Sequence, residues 1–442
     1  MVAIITTSAR LDCTGLKRKV TSLFDRCKQV FAQAVQWETP LTAYYLLCAA
    51  TALLAVFGLV MVLSSSTVKS ITEGRSPYAQ FFNQGRYALI GLVALFVCLK
   101  VKLNWYKRLA WIGLILAIGL QLLTFIPQFA LSKGGNTGWV VVPGTSFVFQ
   151  PAEFGKPAIA LWLGVVLGQR QDVIRHWGKA VLPILGAGGL TLLVLLGHDL
   201  GTAIVFGVLV AIALWVGGLP GKLISMLFAA ASIVIGYVFI YKQDSGNRIG
   251  RIAAAYDPNC DKAGECFQAL HGKFALATGG IFGVGLGSSR EKWNYLPEAH
   301  NDFIFAIIGE ELGLLGTLMV LLLFGVLGVA MARLVVRHPD PMVKITTAAI
   351  SAWIIGQALI NMAVVVGVLP VIGLPLPLVS AGGSALITTM AGLGMVMSFA
   401  RTEPDAPEAL AARPAILRRG LTVVSTADNR RARRQAPPKT RA

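Results

Sequence analysis

Charged side chains are scarce in this chain of 442 residues: Asp, Glu, Lys and Arg make up 14% of it, against 55% hydrophobic residues. The mean hydropathy of +0.68 leaves too little polar surface for a soluble globular protein and excludes that class. Acidic residues are rarer than basic ones, so the net charge is +18. The excess falls mainly in the predicted tails and inner loops, which indicates contact with anionic lipid headgroups and not with nucleic acid.

Long apolar runs accompany this lack of charge. A helix needs about 20 apolar residues to cross a bilayer, and the sequence therefore predicts an all-α polytopic membrane protein with about ten transmembrane helices. The fifth and sixth spans nearly abut and make the least distinct pair. The predicted spans are residues 42–64, 86–101, 108–128, 152–168, 180–197, 200–217, 223–241, 303–332, 345–368 and 382–400.

The distribution of Lys and Arg predicts the orientation. With the N-terminus in the cytoplasm, most basic residues lie inside, as the positive-inside rule requires, and both tails are cytoplasmic. No cleavable signal peptide is expected. Apolar residues at helical spacing near the N-terminus predict an amphipathic helix, either on the inner membrane face or docked to a partner. The predicted parts are a tail (1–40), a membrane domain (41–400) with a large outside loop (242–302), and a basic disordered tail (401–442).

Cysteine is too sparse to form a metal-binding pattern. Of the six in the sequence, only Cys260 and Cys266 share a predicted outside loop, where the environment is oxidising. The pair is consistent either with a disulfide that closes a small loop or with two free thiols. Neither a second cysteine pair nor a suitable histidine pair accompanies it, so no zinc site is predicted.

Carboxylates at the mouth of the eighth span are the most informative feature. The stretch YLPEAHNDFIFAIIGEELG, residues 295–313, carries Glu298, His300 and Asp302 in a loop, then Glu310 and Glu311 in an apolar helix. A charge inside a bilayer costs about 3 kcal/mol or more unless it is paired or hydrated. Such residues therefore either take part in chemistry or are neutralised by partners.

Glycines and basic residues precede these carboxylates in the same outside loop. Glycine lets a backbone approach a ligand and present N–H groups, while Arg and Lys attract phosphate. With the nearby carboxylates, this pattern predicts an anionic, membrane-tethered substrate and a group that handles protons or a divalent metal. The residues are Gly279, Gly280, Gly283, Gly285 and Gly287, with Arg248, Arg251 and Lys292.

Polar residues at other spans have two interpretations each. Glu153 and Lys156, three apart at the start of the fourth span, predict either a structural pair or a catalytic one. Asp199 favours a helix cap over a substrate contact. Gln357 and Asn361, four apart in the ninth span, favour interhelical hydrogen bonds over ligand binding.

These residues resemble the SEDS family (shape, elongation, division and sporulation), whose members polymerise peptidoglycan. The resemblance covers residues 42–400, and the LPEAH wording at 296–300 is more similar to the division member than to the elongation member. The resemblance includes the segment 369–384. Its irregular backbone is tolerated only where it is buried in protein or lines a cavity. The motifs are QPAEFGK at 150–156, DLGT at 199–202, GGIFGVGLGSSREKWNYLPEAHNDFIFAIIGEELG at 279–313 and GLPLPLVSAGGS at 373–384.

The resemblance implies a lipid II glycosyltransferase in the bacterial cytoplasmic membrane, with ten spans around an outward-facing cavity. It implies a class B penicillin-binding protein and other division proteins as partners. Asp302 matches the family's essential carboxylate, either as general base or as a ligand of Mg²⁺ or Mn²⁺, and no organic cofactor is implied. Candidates for assisting pyrophosphate departure are Lys292, Arg248 and Arg251. Further candidate substrate-binding residues are Glu298, His300, Glu153, Lys156, Ser380 and Ser384.

Three motifs depart from the family pattern. Gly138 stands before Trp139 where the family commonly has Arg, which puts in doubt a lipid-binding role at that position. GHDLGT replaces QPDLGT at 197–202, and SAGGSA replaces SYGGSS at 380–385. Asp302 and its neighbours are intact.

Other functions also suit a polytopic chain. Glu310 and Glu311 inside the membrane, with proline-broken segments, suit a lipid II flippase. A scaffold of the division machinery and an elongation role are further alternatives. The sequence shows no clear internal repeat, and its charge concentrates on one face instead of the midplane, which favours the enzyme.

Overall fold

The structure is a computed structural model that describes residues 41–133, 136–142, 144, 148–169, 177–241, 266–293, 295–404 and 406–408. Each predicted span coincides with a helix, which confirms the all-α prediction for the membrane domain. The predicted N-terminal amphipathic helix and nearly all of the C-terminal tail lie outside these residues. The helices are α1 (Thr42–Thr72), α2 (Ala79–Lys100), α3 (Leu103–Leu122), α4 (Pro151–Gly168), α5 (Trp177–Leu196), α6 (Leu200–Val216), α7 (Gly221–Tyr241), α8 (Phe267–Gly279), α9 (Ile304–Arg337), α10 (Pro341–Val366) and α11 (Gly383–Ala400).

Length and hydropathy support a multi-pass membrane protein. Six described helices are long and apolar enough to cross a bilayer, namely α1, α2, α3 with the 3-10 turn Leu123–Phe125, α9, α10 and α11. Shorter apolar helices lie in α5, α6 and α7. The helix α8 was not predicted, because it lies within the segment predicted to be an outside loop.

A small antiparallel sheet, also not predicted, lies between α3 and α4. Its strands are β1 (Ala130–Lys133), β2 (Asn136–Val141) and β3 (Val148–Phe149), in the order β1-β2-β3. The N–H and hydroxyl of Thr137 donate to Gly197 O at 3.1 and 3.0 Å. The sheet is thereby fixed to the turn between α5 and α6, on the predicted outer side.

The core forms around α10, which packs against α4, α6 and α9. This helix begins where the Asp340 side chain accepts from the N–H of Met342 at 2.9 Å, and it ends at Gly367, whose φ of 85° favours glycine. Close packing against α4 requires glycine as well, because a Cβ at Gly164 would collide with Thr346. Elsewhere α1 packs on α9, and α2 packs on α11.

The helix α9 is broken at Gly313, where φ is 67° and ψ is −162°. A break frees backbone groups that lipid cannot satisfy. Here the glycine-rich loop supplies the partners: the N–H groups of Val284 and Gly285 donate to the carbonyls of Glu310 and Glu311, both at 3.0 Å. The N–H groups after the break donate back to the same loop. The loop and the broken helix are therefore one structural unit.

Candidate active site

Asp302 lies just before α9, outside the membrane-spanning helix. Its Oδ1 is buried and has no hydrogen-bond partner among the described residues. Burial and then the negative charges of Glu298 and Asp199 raise the pKa of Asp302 to about 7. A carboxylate that titrates near neutral pH and keeps a free acceptor atom is suited to take a proton from a hydroxyl.

Hydrogen bonds to its backbone hold the Asp302 segment against α10 and the segment 369–382. The side-chain amide of Asn361 donates to Asp302 O and to Leu374 O, both at 2.7 Å. The N–H of Ala381 donates to His300 O at 3.0 Å. Asn361 thus bonds within the protein, but to carbonyls outside the helices and not to a neighbouring helix as predicted. The burial of the irregular segment against protein is confirmed.

Ser380 and Ser384 lie at the C-terminal end of the irregular segment 369–384. The Ser380 hydroxyl donates to Asn301 O and accepts from the N–H of Leu376, both at 2.7 Å. It therefore fixes the loop that carries Asp302. Ser384 lies in the first turn of α11, where its Oγ accepts from the N–H of Gln150 at 3.5 Å. Substrate binding by either serine stays a prediction.

Asp199 connects two helix starts beside this segment. Its Oδ1 accepts from the N–H of Thr202 at 3.0 Å, which confirms the predicted cap of α6. The other oxygen accepts from Nε2 of Gln150, the residue before α4, at 2.5 Å. Both oxygens are engaged, so Asp199 contributes its charge and its position, while Asp302 retains the free oxygen.

Glu298 and His300 lie on the same turn as Asp302. The Glu298 backbone has φ 53°, a left-handed conformation that is unusual for this residue type. Its carboxylate is 3.7 Å from Nζ of Lys69, in the last turn of α1. Burial lowers the pKa of His300, so its imidazole is neutral at pH 7. The proposed substrate contacts of Glu298 and His300 stay predictions.

Glu153 and Lys156 form a buried ion pair of 2.6 Å between α4 residues that are 2% and 0% exposed. The Lys156 Nζ also donates to Gln357 Oε1 at 3.0 Å, and Gln357 Nε2 donates to Pro375 O at 2.8 Å. The charges are thus used on each other and on α10. This geometry favours the structural interpretation that the sequence left open, and it confirms the predicted hydrogen bonding of Gln357.

Lys292 is the counter-ion of a carboxylate in α9. Its Nζ lies 3.0 Å from Glu311 Oε1 and 2.6 Å from the carbonyl of Gly287. Glu311 also accepts from the Ser64 hydroxyl of α1 at 2.7 Å. With 7% exposure, Lys292 is buried in this pair. Its contacts neutralise Glu311, and its predicted assistance to pyrophosphate departure stays a prediction.

The neighbouring Glu310 is also fully paired. One oxygen accepts from the Ser289 hydroxyl at 2.5 Å and the other from the N–H of Arg290 at 2.8 Å. The glycines of this loop serve the same packing: a Cβ at Gly279 or Gly283 would collide with the α9 backbone. The N–H groups of Gly283 and Gly285 donate within the chain, and anion binding by the rest of this loop stays a prediction.

Several predicted residues lie elsewhere. Arg248, Arg251 and Cys260 are outside the described residues, and their roles stay predictions. Cys266 immediately precedes α8, is buried and is disulfide-bonded. Its pairing with Cys260 stays a prediction.

The sequence motifs and this geometry agree with a known family. The family model described as cell cycle protein, which covers FtsW, RodA and SpoVE, matches residues 44–404. The chain belongs to this family, the SEDS proteins.

Curated SEDS relatives match over most of the chain. A probable peptidoglycan glycosyltransferase FtsW from Mycobacterium tuberculosis is 39% identical over 374 residues, covering 84% of this chain and 70% of the relative. Its counterpart in Geobacter sulfurreducens is 34% identical, with coverage of 80% and 94%. Stage V sporulation protein E of Bacillus subtilis is 32% identical, with coverage of 80% and 96%. These matches confirm the resemblance to the division member.

Solved SEDS structures share the fold. A chain from a peptidoglycan synthase complex that coordinates polymerization and crosslinking has a TM-score of 0.65 and 26% identity, with coverage of 83% of this chain and 99% of that one. The rod shape determining protein RodA of Thermus thermophilus has a TM-score of 0.57 and 26% identity, with coverage of 84% and 99%.

A metal ion would find few protein ligands here. The described residues contain no group of three or more His, Cys, Asp or Glu side chains that could hold one. Asp302 still fits Mg²⁺, which is commonly bound by one or two carboxylates together with substrate phosphates. Its buried Oδ1, which has no partner in the part of the chain that the structure describes, is the donor atom suited to this.

Sequence reasoning missed Lys69 and Ser64, both on α1 in this SEDS protein. Lys69 carries a signal that could have found it, since a basic residue at the predicted outer end of a span runs against the positive-inside rule. Ser64 carries none, because its contact with Glu311 joins residues far apart in the chain.

Proposed function

We propose that this SEDS protein is a peptidoglycan glycosyltransferase that polymerises lipid II at the outer face of the cytoplasmic membrane during cell division. The observation that carries the proposal is the buried carboxylate of Asp302, with a pKa of about 7 and an oxygen that has no hydrogen-bond partner within the described ranges. The names of the curated relatives support the same activity.

Asp302 serves as the general base. The 4-hydroxyl of the acceptor GlcNAc loses its proton to the carboxylate as its oxygen attacks the anomeric carbon of the donor MurNAc. The bond from that carbon to the diphosphate breaks, and its electron pair leaves with the lipid diphosphate. Asn361 and Ala381 hold the backbone of the base segment in place during this step.

The leaving group needs positive charge, because negative charge develops on its oxygen as the bond breaks. Asp302 would hold a divalent cation, Mg²⁺ or Mn²⁺, which would supply that charge when bound. The requirement for a cation is part of the proposal.

The proposed assembly includes a class B penicillin-binding protein and other division proteins. A solved neighbour from a peptidoglycan synthase complex supports such an arrangement. The flippase alternative loses its main argument, since Glu310 and Glu311 are paired within the fold. The proposed topology keeps both termini in the cytoplasm.

Polymerisation of purified lipid II tests the proposal. The solubilised protein is assayed with its cognate penicillin-binding protein, as wild type, Asp302→Ala and Glu73→Gln. We expect a rate lower by about 10²–10⁴-fold for Asp302→Ala, the contribution of a general base. Glu73, an exposed carboxylate paired with Arg75, is the matched control and should have no effect. Equal glycan from wild type and Asp302→Ala would assign polymerisation to the partner and reject the proposal.

A further inference from the structure

The departing diphosphate requires a cation that can reach it. Of the three basic residues suggested by the sequence, Lys292 is buried against Glu311, while Arg248 and Arg251 lie outside the described residues. The structure brings another lysine to the Asp302 segment. This is Lys69, in the last turn of α1.

The contact of Lys69 is weak enough to be exchanged. Its Nζ lies 3.7 Å from Glu298 Oε1, and the two side chains are 44% and 49% exposed. Ion pairs of this exposure contribute little to stability. A diphosphate offers more charge and more acceptor oxygens than a carboxylate, so it forms stronger charge-assisted hydrogen bonds with an ammonium group.

Glu298 places Lys69 next to the turn that carries the candidate base. The Glu298 carbonyl accepts from the N–H groups of Asn301 and Phe303, at 3.0 and 3.3 Å, and these two residues flank Asp302. The charges of Glu298 and Lys69 both act on the pKa of His300, on the same turn. Lys69 therefore borders the turn on which the proton transfer is proposed, and is half-exposed there.

We propose that Lys69 binds the diphosphate of the lipid-linked donor and exchanges Glu298 for it when the donor arrives. This inference rests on the proposed function and names a residue for its leaving group. The simpler role for Lys69 is to brace the Glu298 turn and to stabilise the C-terminal end of α1. The two roles predict different effects on diphosphate binding when the Glu298 carboxylate is removed.

Direct binding to the full-length protein in zwitterionic nanodiscs separates these roles. The probes are a polyprenyl diphosphate and the corresponding uncharged polyprenol. We expect Lys69→Gln to weaken diphosphate binding by roughly fivefold, Lys69→Arg to restore most of it, and polyprenol binding to stay unchanged. Glu298→Gln should leave diphosphate binding unchanged or tighter, because it frees Lys69 from its partner.

Three outcomes would overturn the proposal. Equal weakening by Lys69→Gln and Glu298→Gln would show that the pair only braces the turn. Unchanged binding in Lys69→Gln, with its thermal unfolding also unchanged, would show that the lysine does not contact the ligand. Lys273, an exposed lysine of α8 beside Gly367, is the control for surface potential. A loss in Lys273→Gln equal to that in Lys69→Gln would assign the effect to the field of the whole face.

Polymerisation by the wild type, measured in parallel, distinguishes this inference from the proposed function. Diphosphate binding that depends on Lys69 in a protein that forms no glycan would reject the glycosyltransferase and retain the binding site. Glycan formation with diphosphate binding independent of Lys69 would do the reverse.

Discussion

The carboxylates before and after the start of α9 differ in their hydrogen-bond partners. Glu310 and Glu311, inside the helix, are 0% exposed, and each accepts hydrogen bonds from well-placed donors. Asp302, just before the helix, has a buried oxygen with no partner in the described part of the chain. A buried carboxylate with full partners stabilises a fold, whereas one held without a partner is a candidate for chemistry.

Hydrogen-bond and ion-pair partners, and not residue type or depth in the fold, therefore distinguish the structural carboxylates from the candidate catalytic one. In the sequence, Asp302, Glu310 and Glu311 form one acidic group, and the flippase alternative rests on Glu310 and Glu311. Their contacts with Ser64, Ser289 and Lys292 join α1, the loop and α9. The two sets should consequently respond differently to mutation.

The largest expected effect on stability comes from breaking the Glu311 pair. Glu311→Ala leaves the ammonium of Lys292 buried without its counter-ion, which should destabilise the protein by about 3–5 kcal/mol. Thermal unfolding in detergent measures this loss. By contrast, Asp302→Ala should not lower the unfolding temperature, since it removes a buried charge that has no partner on one oxygen.

Replacing both partners provides the control for this prediction. The double variant Lys292→Met, Glu311→Leu removes both charges at similar volume and should recover much of the lost stability. An unfolding temperature of Glu311→Ala equal to that of wild type would contradict the structural role of the pair.

A smaller effect is expected from Asn361, which joins the two regions that surround the free oxygen. Asn361→Ala removes the donors to Asp302 O and Leu374 O and should destabilise the protein by about 1–3 kcal/mol. Displacement of the base by about 1 Å would also lower the polymerisation rate by roughly 10²-fold. The rate and KM for lipid II, measured together with thermal unfolding, test both effects.

The control for Asn361 lies on the same helix. Thr347 is buried in α10, and its hydroxyl has no partner among the described residues, so Thr347→Val should be neutral or stabilising. An Asn361→Ala protein that unfolds earlier yet keeps its full rate would show that the amide supports the fold without positioning Asp302.

Much of the fold could be predicted, because transmembrane helices are long apolar runs. The break between α5 and α6 was also visible, since Gly197 and His198 interrupt the run before the Asp199 cap. The break at Gly313 was not, because glycine is frequent in transmembrane helices and the backbone partners of this break come from a loop about 30 residues earlier. The strands between α3 and α4 are too short to show a clear alternation.

The site could be predicted only in part. Asp302 was accessible because a family motif contains it, and Asn361 because a polar residue in a span needs a partner. The pairing of Lys292 with Glu311 was not accessible, because helical or loop spacing does not specify which residues meet across the fold. The contact of Lys69 with Glu298 was inaccessible for the same reason, because the two residues belong to distant segments of the chain.

The smallest expected effect is the pH dependence that the raised pKa of Asp302 should produce. Burial, then Glu298 and Asp199, raise the pKa of Asp302 to about 7. A general base must be ionised, so the polymerisation rate should fall about tenfold per pH unit below 7 and level off above it. Glu298→Gln removes one of the negative charges, lowers the pKa of Asp302 and should shift this acid limb to lower pH.

Stability should change with pH in the opposite direction to the rate. The folded-state pKa of Asp302 lies above its ordinary value, so the folded protein binds this proton more tightly than the unfolded chain does. The contribution of this group to stability therefore falls as the pH rises from about 4 to 7, and Asp302→Asn should abolish that fall. Glu73→Gln, with its carboxylate exposed, should move neither curve. An acid limb that stays in place in Glu298→Gln would mean that a group other than Asp302 accepts the proton.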